Sequence, residues 1–251
     1  MFPTLFLWNT LLLASVGGFA HALVAARYPV SIYTSTDAVQ NLAGIMPQSS
    51  LAAPAGQLKY VVLGLGTQNY TCANGGELDT PTSIGATAIL YDIGSKLSTN
   101  VLAAKWKLPA ISGLTLLLST HPKVLKSYLR LEGFDRVVGH HFFGVSDGVS
   151  LPFFAFDQLS QSPYPIAKVS KVEGTDAPKS AYSGLHREGA VPWLHLADTG
   201  SSVGGIDTVY RLETAGGKGP VNCQGRQGTF EVKYAAQYWV FGSIDPSTVS
   251  L

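Results

Sequence analysis

Nine short runs rich in β-branched and aromatic residues, each closed off by Gly, Pro or Asn, recur along most of this chain: residues 58–65, 66–72, 86–93, 137–143, 152–156, 166–172, 191–197, 206–214 and 230–241. Most are shorter than a typical helix, and their composition suits a pleated, half-buried backbone. Strands at this spacing, with few helical patterns between them, lead to a β-sandwich or a barrel. One helix is expected over residues 122–131, where Pro122 suits the first turn, Thr120 is placed to cap, and Val124, Leu125, Tyr128 and Leu129 share a face. Residues 103–118 fit either type of element. Residues 173–189 carry Asp176, Pro178, Ser180, Ser183 and Gly184 without a period and read as a long surface loop. The expected fold is mainly all-β: a single β-sandwich or barrel-like domain with one or two short helices, and no internal repeat or linker.

The charge balance, 17 Lys+Arg against 16 Asp+Glu, gives no long-range attraction to polyanions, so nucleic acid is not an expected partner. Charged residues at 13% against 46% hydrophobic also exclude a disordered charged chain or a coiled coil. Residues 5–20 form an apolar run followed by Ala20-His21-Ala22, a small-x-small site suited to signal peptidase. This divides the chain into a signal peptide, 1–22, an N-terminal extension, 23–57, and a β-rich domain, 58–251. No Lys or Arg precedes Arg27, so retention as an uncleaved anchor is the alternative. No later stretch reads as long and apolar enough to span a bilayer. The mature chain is therefore expected to be secreted or in the secretory-pathway lumen, with no stable membrane insertion after cleavage.

Cysteine usage agrees with that compartment. Cys72 and Cys223 are the chain's two cysteines, and an even pair in a secreted protein favours a disulfide. Closing a loop of about 150 residues would stabilise by on the order of 5 kcal/mol in the chain-entropy argument, and would staple an early strand to a late one. Asn69-Tyr70-Thr71 is a glycosylation sequon, placed beside Cys72 within a strand-like run.

Motifs that would name a reaction are weak. Val61-Val62-Leu63-Gly64-Leu65-Gly66 resembles the start of a dinucleotide-binding turn, but Asn69 stands at the third glycine position and Tyr70-Thr71-Cys72 continue a β pattern where a helix N-terminus is needed. A glycine bend between two strands is the simpler reading, and no cofactor is expected. His140 and His141, adjacent in a strand, point to opposite faces, so one of them at most can serve a given pocket. His195 shares a strand face with Trp193. His140, His141 and His195 are the candidate catalytic residues, and Trp193, Phe143 and Asp157 the candidate ligand-binding ones. The competing reading makes these histidines packing residues, hydrogen-bonded within the sheet. No metal-ligand spacing is present, and neither a serine-hydrolase elbow nor a phosphate loop is expected. Asp207, Arg211 and Glu213 read as a solvated charge face.

Several motifs together carry a resemblance. Gly66-Thr67-Gln68-Asn69-Tyr70-Thr71-Cys72, Gly139-His140-His141-Phe142-Phe143, Pro152-Phe153-Phe154, Ala190-Val191-Pro192-Trp193-Leu194, Val209-Tyr210-Arg211-Leu212-Glu213-Thr214 and Tyr234-Ala235-Ala236-Gln237-Tyr238-Trp239, in this order, resemble the domain of unknown function 3455, a family of secreted fungal proteins often labelled malate dehydrogenase. The resemblance implies secretion, a pairing of the two cysteines and no established activity; the residues give the dehydrogenase label no support. Two functional classes follow. One is a site for a small apolar or aromatic molecule, extending to a cofactor-independent cyclase or isomerase of secondary metabolism that folds a reactive substrate beside one His or Asp. The other is a wall- or host-facing module that binds glycan or protein through exposed aromatics, without enzymatic activity.

Overall fold

The structure, a computed structural model, describes residues 35–243. The signal peptide, its cleavage site and the anchor alternative lie outside the described residues. Eight strands run in chain order: β1 (Gln57–Cys72), β2 (Thr82–Asp92), β3 (Val137–Ser146), β4 (Val149–Ala155), β5 (Ile166–Thr175), β6 (Trp193–Asp198), β7 (Ile206–Gly216) and β8 (Gly228–Gly242). Each pairs antiparallel with the next, and β8 returns to pair with β1, closing a barrel. Of the sandwich and the barrel, the chain forms the barrel. Closure leaves no open sheet edge.

The alternation of side chains divides the strand residues between two cores. Val62, Ala88, Leu90, Phe154, Val169, Leu196, Val209, Ala236 and Tyr238 pack together without any helical residue, and they fill the lumen. Val61, Leu63, Tyr210, Leu212, Ala235, Trp239 and Phe241 point outward and are covered by helical residues. This is why β8 shows no polar alternation: from Tyr234 to Phe241, a stretch apolar but for Gln237, both of its faces are buried.

The lumen fills by pairing large side chains with missing ones. A Cβ on Gly64 would lie 2.5 Å from Cε2 of Tyr238, and one on Gly66 would lie 2.6 Å from Cα of Ala88. These glycines therefore sit inside one continuous 16-residue strand, not at a bend between two strands. Gly64 admits a tyrosine ring, and Gly66 lets the backbone of β2 approach.

The connection between β2 and β3 is helical: α2 (Gly94–Leu97), α3 (Val101–Leu118) and α4 (Pro122–Glu132), with α1 (Ser35–Gln40) preceding the barrel. The helical content thus exceeds one or two short elements, since α3 has 18 residues. Asn100 caps α3 by accepting from the Ala103 amide at 3.0 Å. In α4, Pro122 takes the first turn as expected, but the cap position is His121; Thr120 instead donates to Leu117 O at 3.0 Å. Ala104, Leu108, Ile111 and Leu116 seat α3 on the outer wall, and buried Gln237 of β8 donates to Leu108 O at 2.7 Å. With a mean hydropathy of 1.4, α3 is long and apolar enough to cross a bilayer by length and composition, contrary to the sequence reading. In the described part of the segment before the barrel, Val39, Leu42 and Leu51 are buried in the outer-wall core.

Cys72 and Cys223 form a disulfide, with Cα atoms 5.7 Å apart. Cys223 lies in the loop before β8, so the bridge ties the end of β1 to that loop and not to a second strand.

Candidate functional site

His140 and His141 do point to opposite faces, as their adjacency requires. His141 enters the lumen, opposite Ala88 and Phe154, with its ring stacked on Phe154 at 4.2 Å. Its Nδ1 lies 2.8 Å from Phe153 O, an atom that only accepts, so Nδ1 carries the proton. Burial pushes the His141 pKa down to about 4, with the Phe153 bond opposing and Arg211 adding to the fall, so the ring is neutral at physiological pH.

Around it lies a polar cluster that the sequence did not reveal. Tyr234 and Tyr238 hydroxyls are 2.9 Å apart, and burial raises both their pKa values. Gln68 is buried beside them, its side chain against the Tyr234 phenol. Arg211 pairs across strands with Tyr238 and so shares the lumen face, while its Nε and Nη2 donate to Pro192 O at 3.1 and 2.9 Å. The expectation of a solvated Asp207, Arg211 and Glu213 face is therefore corrected. Register shifts at Ile206/Thr208 and Leu212/Ala215 break the alternation that would have aligned the three. Phe143, exposed on β3, lies 5.9 Å edge-on from His141.

The other candidates lie outside the lumen, in two places: His140 with Asp157, and His195 with Trp193 on β6. His140 Nδ1 lies 3.0 Å from each carboxylate oxygen of Asp157. His195 stacks on Tyr210 at 4.6 Å and meets Glu173 Oε1 at 2.9 Å. That oxygen also accepts from the Ala52 amide at 2.7 Å, and the Tyr210 hydroxyl donates to Ala52 O at 2.9 Å. The Ala52 bond and then His195 hold the Glu173 carboxyl below its ordinary range. His195 is thus part of a clamp on the segment that crosses the outer wall. Trp193 is buried in the outer-wall core. A single pocket built from His195, Trp193 and the inward histidine does not form, because the barrel wall separates them. Among the described residues, no three His, Cys, Asp or Glu side chains group to hold a metal. Gly-x-Ser-x-Gly strings do occur, at Ser146 and Ser202. The first lies in the β3–β4 hairpin and the second in the β6–β7 loop, so neither forms the strand-to-helix elbow of a serine hydrolase.

Open space lies where α4 passes over the barrel. A groove of about 560 Å³ is floored by Leu65, Gly66 and Tyr91 of β1 and β2, with Val137 of β3. Leu125 and Leu129 of α4 form the opposite wall. Exposed Lys126, Asp135 and Lys233 bring two ammonium groups and a carboxylate to this apolar trough. Burial raises the Tyr91 phenol pKa, which keeps it a hydrogen-bond donor at neutral pH. The sequence singled out Leu65-Gly66 and the Leu125, Leu129 helix face but not as a site, because the lining comes from five separate segments whose meeting depends on how the helical connection folds back. A larger recess of about 820 Å³ beside it is lined by His186, Glu188, Lys218, Arg226 and Glu231 and is far more charged.

The pattern of a family described as a protein of unknown function (DUF3455) matches residues 53–242. The chain belongs to this family. No curated protein and no solved structure matches it. The DUF3455 span takes in all eight strands, both cysteines and helices α2 to α4. Every residue of the groove falls within it, so the groove is assembled from the DUF3455 domain alone.

Proposed function

We propose that this DUF3455 protein acts in an oxidising secretory compartment and binds a small, largely apolar molecule in the groove between α4 and the barrel. The observation that carries this reading is the groove itself. Its volume of about 560 Å³ falls within the range of small-molecule sites, and a few charged groups border apolar walls drawn from a helix and a sheet. Lys126 and Lys233 would hold an anionic or polarised end of the ligand, while Leu65, Leu125, Leu129 and Val137 enclose its body. The disulfide supports the compartment. In a cyclase or isomerase, the groove would act by holding a flexible substrate folded, with Asp135 or the Tyr91 phenol as proton handle. His141 is not assigned that role, since its ring is buried and stacked on Phe154.

The test uses 1-anilinonaphthalene-8-sulfonate, an aromatic anion, as the probe. Saturable binding is expected, and Lys126→Glu with Lys233→Glu should weaken it at least about tenfold, equivalent to about 1.4 kcal/mol. Val137→Trp, which fills the groove from its half-exposed strand position, should abolish it. Unchanged affinity in a folded Val137→Trp variant would refute the site.

A further inference from the structure

Helix α3 is apolar on both sides. Ala104, Leu108, Ile111 and Thr115 face the barrel and are buried. The opposite side should be polar on a surface helix of a water-soluble domain. Instead Leu102, Trp106, Ala110 and Leu117 fall within about 80° of one another around the axis. All four are exposed, Leu102 by 73% and Trp106 by 78%. Lys105 and Lys107 border this stripe on either side. Six of the 18 residues of α3 are buried, and none of them lies on this stripe. An exposed apolar stripe centred on a tryptophan marks a contact surface.

Charge says what the stripe contacts. The chain is nearly neutral, yet residues 96–136 hold seven of its 17 Lys and Arg and two of its 16 Asp and Glu. Of the seven, Lys107 pairs with Glu132 at 2.6 Å and Arg136 with Asp92 at 3.5 Å. Lys96, Lys105, Lys123, Lys126 and Arg130 make no ion pair among the described residues and are exposed. Basic groups around Trp and Leu are the signature of a helix that lies in the headgroup layer, its apolar side in the acyl boundary and its cations on anionic lipid. Spanning is ruled out for this fold, since it would strip Leu108, Ile111 and Leu116 from the barrel core.

We infer that the outer face of α3, with the basic side chains of the α2–α4 connection, docks this protein reversibly on an anionic phospholipid membrane surface. The inference stands apart from the groove, because its stripe is on the side of α3 turned away from the barrel.

Co-sedimentation with vesicles of phosphatidylcholine containing a third phosphatidylserine tests it on the full secreted chain. Binding is expected, with a blue shift of Trp106 emission, and it should fall at least about tenfold on pure phosphatidylcholine or in 0.5 M salt. Trp106→Ser and Leu102→Ser should each weaken it severalfold, and Lys105→Glu with Lys123→Glu should do the same, while the melting temperature stays within a few degrees because all four positions are exposed. No binding, or equal binding to neutral vesicles, would overturn the inference. So would a concentration-dependent dimer that Trp106→Ser abolishes, since the stripe would then belong to a second copy of the chain.

Discussion

His141 makes the stability of this barrel depend on pH in a way that can be isolated from every other group. Its ring is neutral in the folded chain, with a pKa pushed to about 4 against an ordinary 6.5. As pH falls from 6.5 toward 4, the unfolded chain binds a proton that the folded chain refuses, so stability is lost over that window. The contribution is complete above 6.5 and fully lost below about 4. The whole gap corresponds to roughly 3 kcal/mol, and the part between pH 7 and 5 to roughly 2 kcal/mol. The charged group near the ring is Arg211, which stays protonated throughout and reinforces the effect. His141→Asn places an amide nitrogen where Nδ1 donates to Phe153 O but cannot titrate. It costs stability at every pH through lost stacking on Phe154, so the slopes are compared and not the offsets. Urea unfolding of both proteins, disulfide intact, at half-unit steps from pH 7 to 5 gives the difference directly, since all other carboxylates and histidines are common to both. The wild type should lose roughly 2 kcal/mol more than the variant across this range. Parallel curves would show that His141 titrates as an exposed histidine, and the packed lumen described for it would be wrong.

Two further substitutions test the packing. Gly64→Ala sets a Cβ 2.5 Å from the Tyr238 ring and must displace it, so unfolding free energy should drop by about 1–3 kcal/mol, and an unchanged urea midpoint would contradict the tight lumen. Glu173→Ala removes the acceptor of the Ala52 amide and of His195, so hydrogen exchange at Ala52 should accelerate while exchange in the β1–β8 seam is unaltered; equal acceleration in both would mean that Glu173 supports the whole barrel and not the clamp.

The strands were legible because each carries its turn residues and alternates between lumen and wall. What failed has specific causes. Residues 58–72 split into two expected strands at Gly64 and Gly66, since a glycine pair in sequence marks a bend as well as it marks a close approach. Only Tyr238 and the β2 backbone, far along the chain or across the sheet, tell the two apart. Residues 103–118 gave no period because α3 meets the barrel on one side and exposes Leu102 and Trp106 on the other, leaving no polar face to set the phase. The lumen position of Arg211 was hidden by register shifts, which parity along a single strand does not record.

For the site, adjacency alone placed His140 and His141 on opposite faces, yet it did not say which face held open space. The lumen answers that question by being full. Tyr234, Tyr238, Phe154 and Phe156 are buried there against alanines and glycines, so an eight-stranded barrel that elsewhere holds a ligand is here a packed core. Tyr210, Leu212 and Trp239 on the outer wall are likewise covered by helices and by the segment before β1. The helical connection between β2 and β3 leaves apolar surface uncovered in the trough between α4 and the wall and along the outer stripe of α3. A barrel needs only a short turn to join two antiparallel strands. The 44 residues between Asp92 and Val137 are thus surplus to closing the sheet, and they carry the chain's largest excess of basic charge together with the outer stripe of α3 and one wall of the groove. Removing the groove and removing the stripe should therefore leave the barrel standing, so that a loss of binding in either variant reports on function and not on folding.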